Sequence, residues 1–182
     1  MGLALSLVTP ELLREICPSL PQADAVTHST ALATALDKAG IHSPLEIAMF
    51  LAQIAHETGS FRYMEEIASG KAYDGRVDLG NIHPGDGPRY KGRGYLQLTG
   101  RVNYRKLGTA LGYNFEREPD LAKQPYAAAE TAVAYWLSHK IPPLALAKDL
   151  EGVTRRINGG LNGLESRRHY YQRAMKALGQ EL

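Results

Sequence analysis

The chain has 182 residues, 44% of them hydrophobic and 22% charged, with a formal net charge of +2. That size suits one domain with a substantial core, and no apolar run approaches the length needed to span a bilayer, which excludes a membrane protein. The small net charge argues against a nucleic-acid partner, and a single cysteine, Cys17, excludes an internal disulfide and fits folding in a reducing cytoplasm.

The N-terminal stretch MGLALSLVTP carries no basic residue and is stopped by Pro10, so it does not read as an export signal. Thr9-Pro10-Glu11 predicts a helix start, with Leu12, Leu13 and Ile16 on one face before Pro18 and Pro21 interrupt it. A second helix is expected from about Gln22 to Ala39, with Ala25, Leu32, Ala35 and Leu36 at helical spacing and Gly40 as its stop.

The next stretch, SPLEIAMFLAQIAHETGSFRYMEE, is the element on which the chain is organised. Ser43 as N-cap, Pro44 at the first helical position and Glu46 three residues after Ser43 spell a capping box. From Leu45 to Ala55 only Glu46 and Gln53 are polar, the pattern of a helix surrounded by protein. It ends at His56-Glu57, where burial and the negative end of the helix dipole are expected to raise the proton affinity of Glu57, as a general acid requires. Glu66 lies nine residues on and, at about 100° per residue, would face away on a continuous helix, so a break at Gly59 is required for convergence.

Residues 68–88 are rich in Gly and Asp without a clear period and read as an exposed loop, the kind of long connection that walls a cleft. In PRYKGRGYLQLTGRVNY, residues 94–99 alternate and predict a short strand, with Gln97 and Thr99 on a polar face opposite Leu96 and Leu98. Helices are then expected over about Val102–Leu111, Tyr126–His139, Leu146–Ile157 and Leu164–Leu178, with the turn NGGLNG between the last two. The fold class is mainly α, as a single domain over residues 1–182.

Several chemistries are excluded. His56-Glu57 opens like a zinc-protease motif, but Ser60 stands where the second histidine belongs; Gly92-Arg93-Gly94 has neither a dinucleotide nor a P-loop spacing; and no nucleophile elbow is present. No metal or cofactor is implied. Paired carboxylates remain, and glycoside hydrolysis is the reaction that uses them most plainly.

Three blocks, FLAQIAHETGSFRYMEE, RYKGRGYLQLTGRVNY and RRINGGLNGLESRRHYYQRA, together resemble the family 19 glycoside hydrolases, which include chitinases and the related lysozyme-like endolysins of bacteriophages. The match covers residues from about 45 to 173. It implies a lysozyme-like helical domain with a small β-hairpin or strand region beside a sugar-binding cleft. It places the general acid on Glu57, the second carboxylate on Glu66 and a water-holding residue on Thr99. Gln97, Asn103, Tyr104 and Asn158 fall on positions lining the sugar, Arg167 on a basic position near the acids, while His56 and Thr58 flank the acid and Tyr90 and Arg93 open the strand block. From the residues alone, Glu65 competes with Glu66, His56 serves core hydrogen bonding as readily as substrate contact, Asn158 is a good turn residue and Arg167 reads equally as a surface cation.

The resemblance implies inversion, with a carboxyl separation of about 6.5 to 9.5 Å that admits a water. Peptidoglycan glycan is the favoured substrate: the chain lacks a disulfide framework, and Asn162 stands where plant chitinases have an acidic residue after N-G-G-L. The expectation is therefore an endolysin, a monomer with no nucleic-acid partner and no stable membrane association. It would be held in the cytoplasm of the producing bacterium and would reach the wall after release by a separate holin-type protein. A chitinase is the alternative, and a non-catalytic wall- or nucleic-acid-binding protein using Arg89 to Lys106 comes third.

Overall fold

The computed structural model describes residues 2–181, which divide into two compact units, residues 2–61 with 133–181, and Arg62–Ala132. Among the described residues no helix is long and apolar enough to cross a membrane.

The first unit is built around α4 (Pro44–Glu57), buried without interruption from Glu46 to Ala55. Before it come α1 (Leu3–Leu7), α2 (Pro10–Ile16) and α3 (Gln22–Lys38), and after residue 132 come the end of α7 (Pro125–Ser138), α8 (Pro142–Leu146), α9 (Leu150–Asn158) and α10 (Leu164–Ala177). α10 packs along α4, and it buries Arg167, Tyr171, Ala174 and Met175, one stripe at helical spacing. Complete enclosure of α4 follows from its sequence, since a helix apolar on all sides is stable only where protein covers every face.

Several sequence expectations change here. Ser43 sits at the N-cap of α4 but its side chain makes no cap hydrogen bond; Glu46 instead turns inward and accepts from Trp136 Nε1 at 2.9 Å, because a buried indole N–H needs an acceptor. The helix expected over Leu146–Ile157 starts later: Leu146 is the last residue of α8, and α9 begins at Leu150. Lys148 takes a left-handed φ of 57°, and the Asp149 carboxylate accepts from Gly152 N at 2.8 Å, which starts α9 afresh.

In the second unit α5 (Asp86–Arg89), α6 (Arg101–Leu111), the start of α7 and single 3-10 turns at Lys71–Tyr73, Val77–Leu79 and Pro119–Lys123 surround a core of Tyr90, Tyr104, Phe115, Ala122 and Ala127. Residues 68–88 are more ordered than a loop composition suggests. Asn81 is fully buried, donating to Tyr73 O at 2.9 Å and accepting from Arg101 N at 2.9 Å, so it ties the segment to the start of α6.

No β-strand occurs among the described residues, and the expected strand at 94–99 is a tight turn. Only isolated antiparallel bridges form, Arg93 with Glu65 and Arg93 with Leu98. Gly94 has φ 82° and Gln97 φ 54°, so the chain reverses between them and cannot pleat. Tyr95, whose alternation placed it beside Gln97 and Thr99, is fully buried, whereas those two are half-exposed.

Candidate active site

The first unit carries Glu57. Glu57 is the last residue of α4, and Thr58 closes the helix: its hydroxyl donates to Ile54 O at 2.7 Å and accepts from Phe61 N at 2.8 Å. The expected break follows over three successive left-handed residues, Gly59 (φ 56°), Ser60 (φ 64°) and Phe61 (φ 66°). For non-glycine residues that conformation costs about 1–2 kcal/mol each. Burial of Phe61 against His28, with ring centroids 5.2 Å apart, and the bond from Ser60 N to Ala55 O at 2.7 Å offset it.

Arg167 of α10 is completely enclosed. Its Nη1 donates to Gln53 Oε1 at 2.5 Å and its Nη2 is hydrogen-bonded and ion-paired to Glu57, whose side chain keeps 23% of its exposure. Burial leaves Arg167 no surface for direct sugar contact, and its guanidinium, the basic group expected near the acids, is engaged by the Glu57 carboxyl. Gln53, one turn before Glu57, is the buried partner that makes the guanidinium tolerable there, since a buried charge needs both a counter-charge and hydrogen bonds.

His56 is half-buried, and its Nδ1 is hydrogen-bonded to Ser166 Oγ at 2.9 Å. Burial, aided by the Arg167 charge and opposed by Glu57, lowers its pKa, so the ring is neutral near pH 7. The NGGLNG turn is built to fit that ring: a Cβ on Gly163 would stand 2.3 Å from its Cε1 and Nε2. Asn158 is exposed at the end of α9, where Gly159 (φ 79°) ends the helix.

The second unit carries the other carboxylate. Glu66 Oε1 accepts from Tyr73 OH at 3.0 Å and Oε2 from Gly92 N at 3.1 Å, while Glu66 N donates to Gly92 O at 2.8 Å. The lack of a side chain at Gly92 leaves room for this approach, since a Cβ there would stand 2.6 Å from Gln97 Oε1 and 3.2 Å from Glu66 Oε2 and would push those side-chain ends aside. Gln97 Nε2 donates to Gly94 O at 2.9 Å, Thr99 Oγ1 to Gln97 O at 2.9 Å and Asn103 Nδ2 to Thr99 O at 2.7 Å, a relay of short contacts that orients the half-exposed Thr99 hydroxyl.

Glu65 is differently placed. It is ion-paired to Lys91 at 2.7 Å, Lys123 at 2.8 Å and Arg93 at 3.5 Å. Burial alone would raise its pKa, but hydrogen bonds from Lys123 and Lys91 and the Arg93 charge bring it down to about 2. A carboxylate held by three cations is a poor proton acceptor, and the geometry favours Glu66 for that role.

Four further site residues expected from the resemblance, Tyr90, Tyr104, Arg93 and Thr58, are buried. Tyr90 and Tyr104 are core residues with ring centroids 5.4 Å apart; Tyr90 OH donates to Glu116 O at 2.9 Å and Tyr104 OH to Lys91 O at 2.7 Å. Arg93 is 6% exposed, paired with Glu65 and Asp120, and donates to Tyr104 OH at 3.1 Å. Thr58 is likewise enclosed as the helix cap. These four brace the carboxylate-bearing segments and present no surface to a sugar. The basic segment Arg89 to Lys106 is also largely engaged within its unit: Arg101 pairs with Asp86 and Glu116, and Arg105 with Glu116. Sequence reasoning missed Gln53, Ser166, Tyr73 and Gly92. Only Gly92, inside Lys91-Gly92-Arg93-Gly94, carried a local signal, a glycine free to admit close backbone approach.

Comparison with known proteins adds independent observations. The glycoside hydrolase family 19 sequence model, described as chitinase class I, matches residues 22–150. A glycosyl hydrolase family 19 domain-containing protein of Haemophilus influenzae is 34% identical over 176 residues, covering 80% of this chain and 86% of that protein. An Arabidopsis thaliana endochitinase is 34% identical over 192 residues, spanning 98% of this chain and 66% of its own length. The crystal structure of chitinase C from Streptomyces griseus superposes with a TM-score of 0.77 at 26% identity, over 96% of this chain and 77% of that one.

Proposed function

This chain belongs to the family 19 glycoside hydrolases, and from that premise we propose that it cleaves β-1,4 bonds of a chitin-type N-acetylglucosamine polymer with inversion, through Glu57 and Glu66. The observation that carries the reading is the contrast between two differently held carboxyls. Glu57 sits at a rigid helix end against Arg167, and Glu66 is held by two neutral donors. Glu57 protonates the glycosidic oxygen as the bond from the anomeric carbon breaks, and Arg167 then stabilises the Glu57 carboxylate that remains. Water attacks the anomeric carbon from the opposite face and gives its proton to Glu66. Thr99 Oγ1, already donating to Gln97 O, offers its free lone pair to that water. Gln97, Asn103, Asn158 and His56 serve as sugar contacts.

The chitin-type substrate is supported by the endochitinase and chitinase relatives, which are similar along nearly the whole of this chain. Peptidoglycan glycan is the second reading, in which the protein is a phage-type endolysin that acts on the bacterial wall after release from the cytoplasm by a holin-type partner. It is favoured by Cys17 being the only cysteine, and buried, and by Asn162 following Asn158-Gly159-Gly160-Leu161. Parallel digestion of chitin and purified peptidoglycan, with mass spectrometry of the new reducing ends, tests both. Chito-oligosaccharides from chitin alone support the first reading; muropeptides with chitin untouched transfer the proposal to the second; no new reducing ends from either contradict both.

A further inference from the structure

The segment 70–92 does more than connect elements. Gly70 and Gly87 interlock, since a Cβ on Gly87 would stand 2.5 Å from both Asp74 N and Gly70 O, and one on Gly70 would stand 2.7 Å from Gly87 O. Gly87 N donates to the Asp74 carboxylate at 2.7 Å, buried Asn81 holds Tyr73 O, and Tyr73 N donates to Gly70 O at 2.9 Å. The backbone around Tyr73 is thus fixed on both sides while its half-buried ring carries one polar atom, and that atom donates to Glu66 Oε1.

We infer that Tyr73 is a positioning residue for the general base, fixing with Gly92 N–H the plane of the Glu66 carboxylate so that its remaining lone pairs face the attacking water. One donor on each carboxylate oxygen removes the torsional freedom of a side chain that ordinarily wanders, while neither donor carries a charge that would suppress basicity as the cations on Glu65 do. Burial and the neighbouring Glu66 carboxylate raise the pKa of the Tyr73 phenol, so it stays a protonated donor over the working range. This inference rests on Glu66 being the base.

The test is steady-state kinetics of Tyr73→Phe and Glu66→Gln on a soluble chito-oligosaccharide, or on glycan strands should those prove the substrate, with melting temperatures alongside. Tyr73→Phe is expected to lower kcat by about 10- to 100-fold, the loss of one hydrogen bond to a charged acceptor. KM stays within about two-fold, because the contact acts in the transition state, and the melting temperature stays within about 2 °C. Wild-type kcat in Tyr73→Phe beside an inactive Glu66→Gln overturns the inference and leaves the base assignment standing. A rise in KM at constant kcat, or a clear fall in melting temperature, overturns it in favour of sugar contact or simple bracing. Near wild-type turnover in Glu66→Gln defeats the underlying reading whatever Tyr73 does.

Discussion

The two carboxyl-bearing regions solve the problem of holding one side chain in different ways. Glu57 is fixed by regular structure and charge: the end of a buried helix, a fully enclosed Arg167 and the amide of Gln53. Glu66 stands in irregular backbone and is fixed by neutral donors, Tyr73 OH and Gly92 N–H, within a lattice of glycine contacts and buried Asn81. A counter-charge can stabilise the anion that an acid leaves behind. A base must remain hungry for a proton, so neutral donors suit it better.

Mutations can break this contrast at either end. The largest effect is expected from Glu57→Gln, which preserves a hydrogen-bonding partner for Arg167 but has no proton to give; kcat should fall by about 10²–10⁴-fold with the fold retained in circular dichroism. On the stability side, Arg167→Met leaves Gln53 and Glu57 facing a vacancy of charge, at a cost of about 3–5 kcal/mol measured by urea unfolding. Pairing it with Glu57→Gln should recover part of that loss, because no unpaired carboxylate then remains. At the base end, Gly92→Ala forces a methyl between Gln97 and Glu66 and should reduce kcat by about ten-fold with a smaller loss of stability.

The smallest effect is a pH dependence. Glu65 has its pKa depressed to about 2 from an ordinary 4.5, so its ion pairs contribute stability above the ordinary value and lose it as pH falls through the folded one. The melting temperature should thus decline between about pH 4.5 and pH 2, and Glu65→Gln should flatten that decline in part. Glu116, depressed to about 2 by Arg105 and Arg101, keeps a share of it.

This division also explains what was legible in the sequence. The helix from Pro44 to Glu57 could be read almost to the residue, because a long, nearly unbroken apolar run and a proline start are local signals. The same holds for α3, α6 and α10, whose ends lie within a residue or so of expectation. Residues 94–99 could not be read, since alternation of apolar and polar residues is common to a strand and to a turn, and only the left-handed Gln97 distinguishes them. Burial of Tyr90, Arg93, Tyr104 and Arg167 was equally hidden. Side-chain type marks them as able to touch a sugar, but tertiary packing decides whether they can. Tyr73 met Glu66 through a loop whose shape depends on Gly70, Gly87, Asp74 and Asn81 together, a long-range arrangement no short motif encodes.

The proposed cleavage of a β-1,4 bond by single displacement, with Glu57 as acid and Glu66 as base, is tested most directly by proton NMR of chitohexaose digestion in its first minutes, for wild type and Glu57→Gln in parallel. Inversion predicts that the new reducing ends appear first as the α anomer with wild type and not at all with Glu57→Gln. First appearance of the β anomer, or α-anomer production by Glu57→Gln at near the wild-type rate, would contradict it.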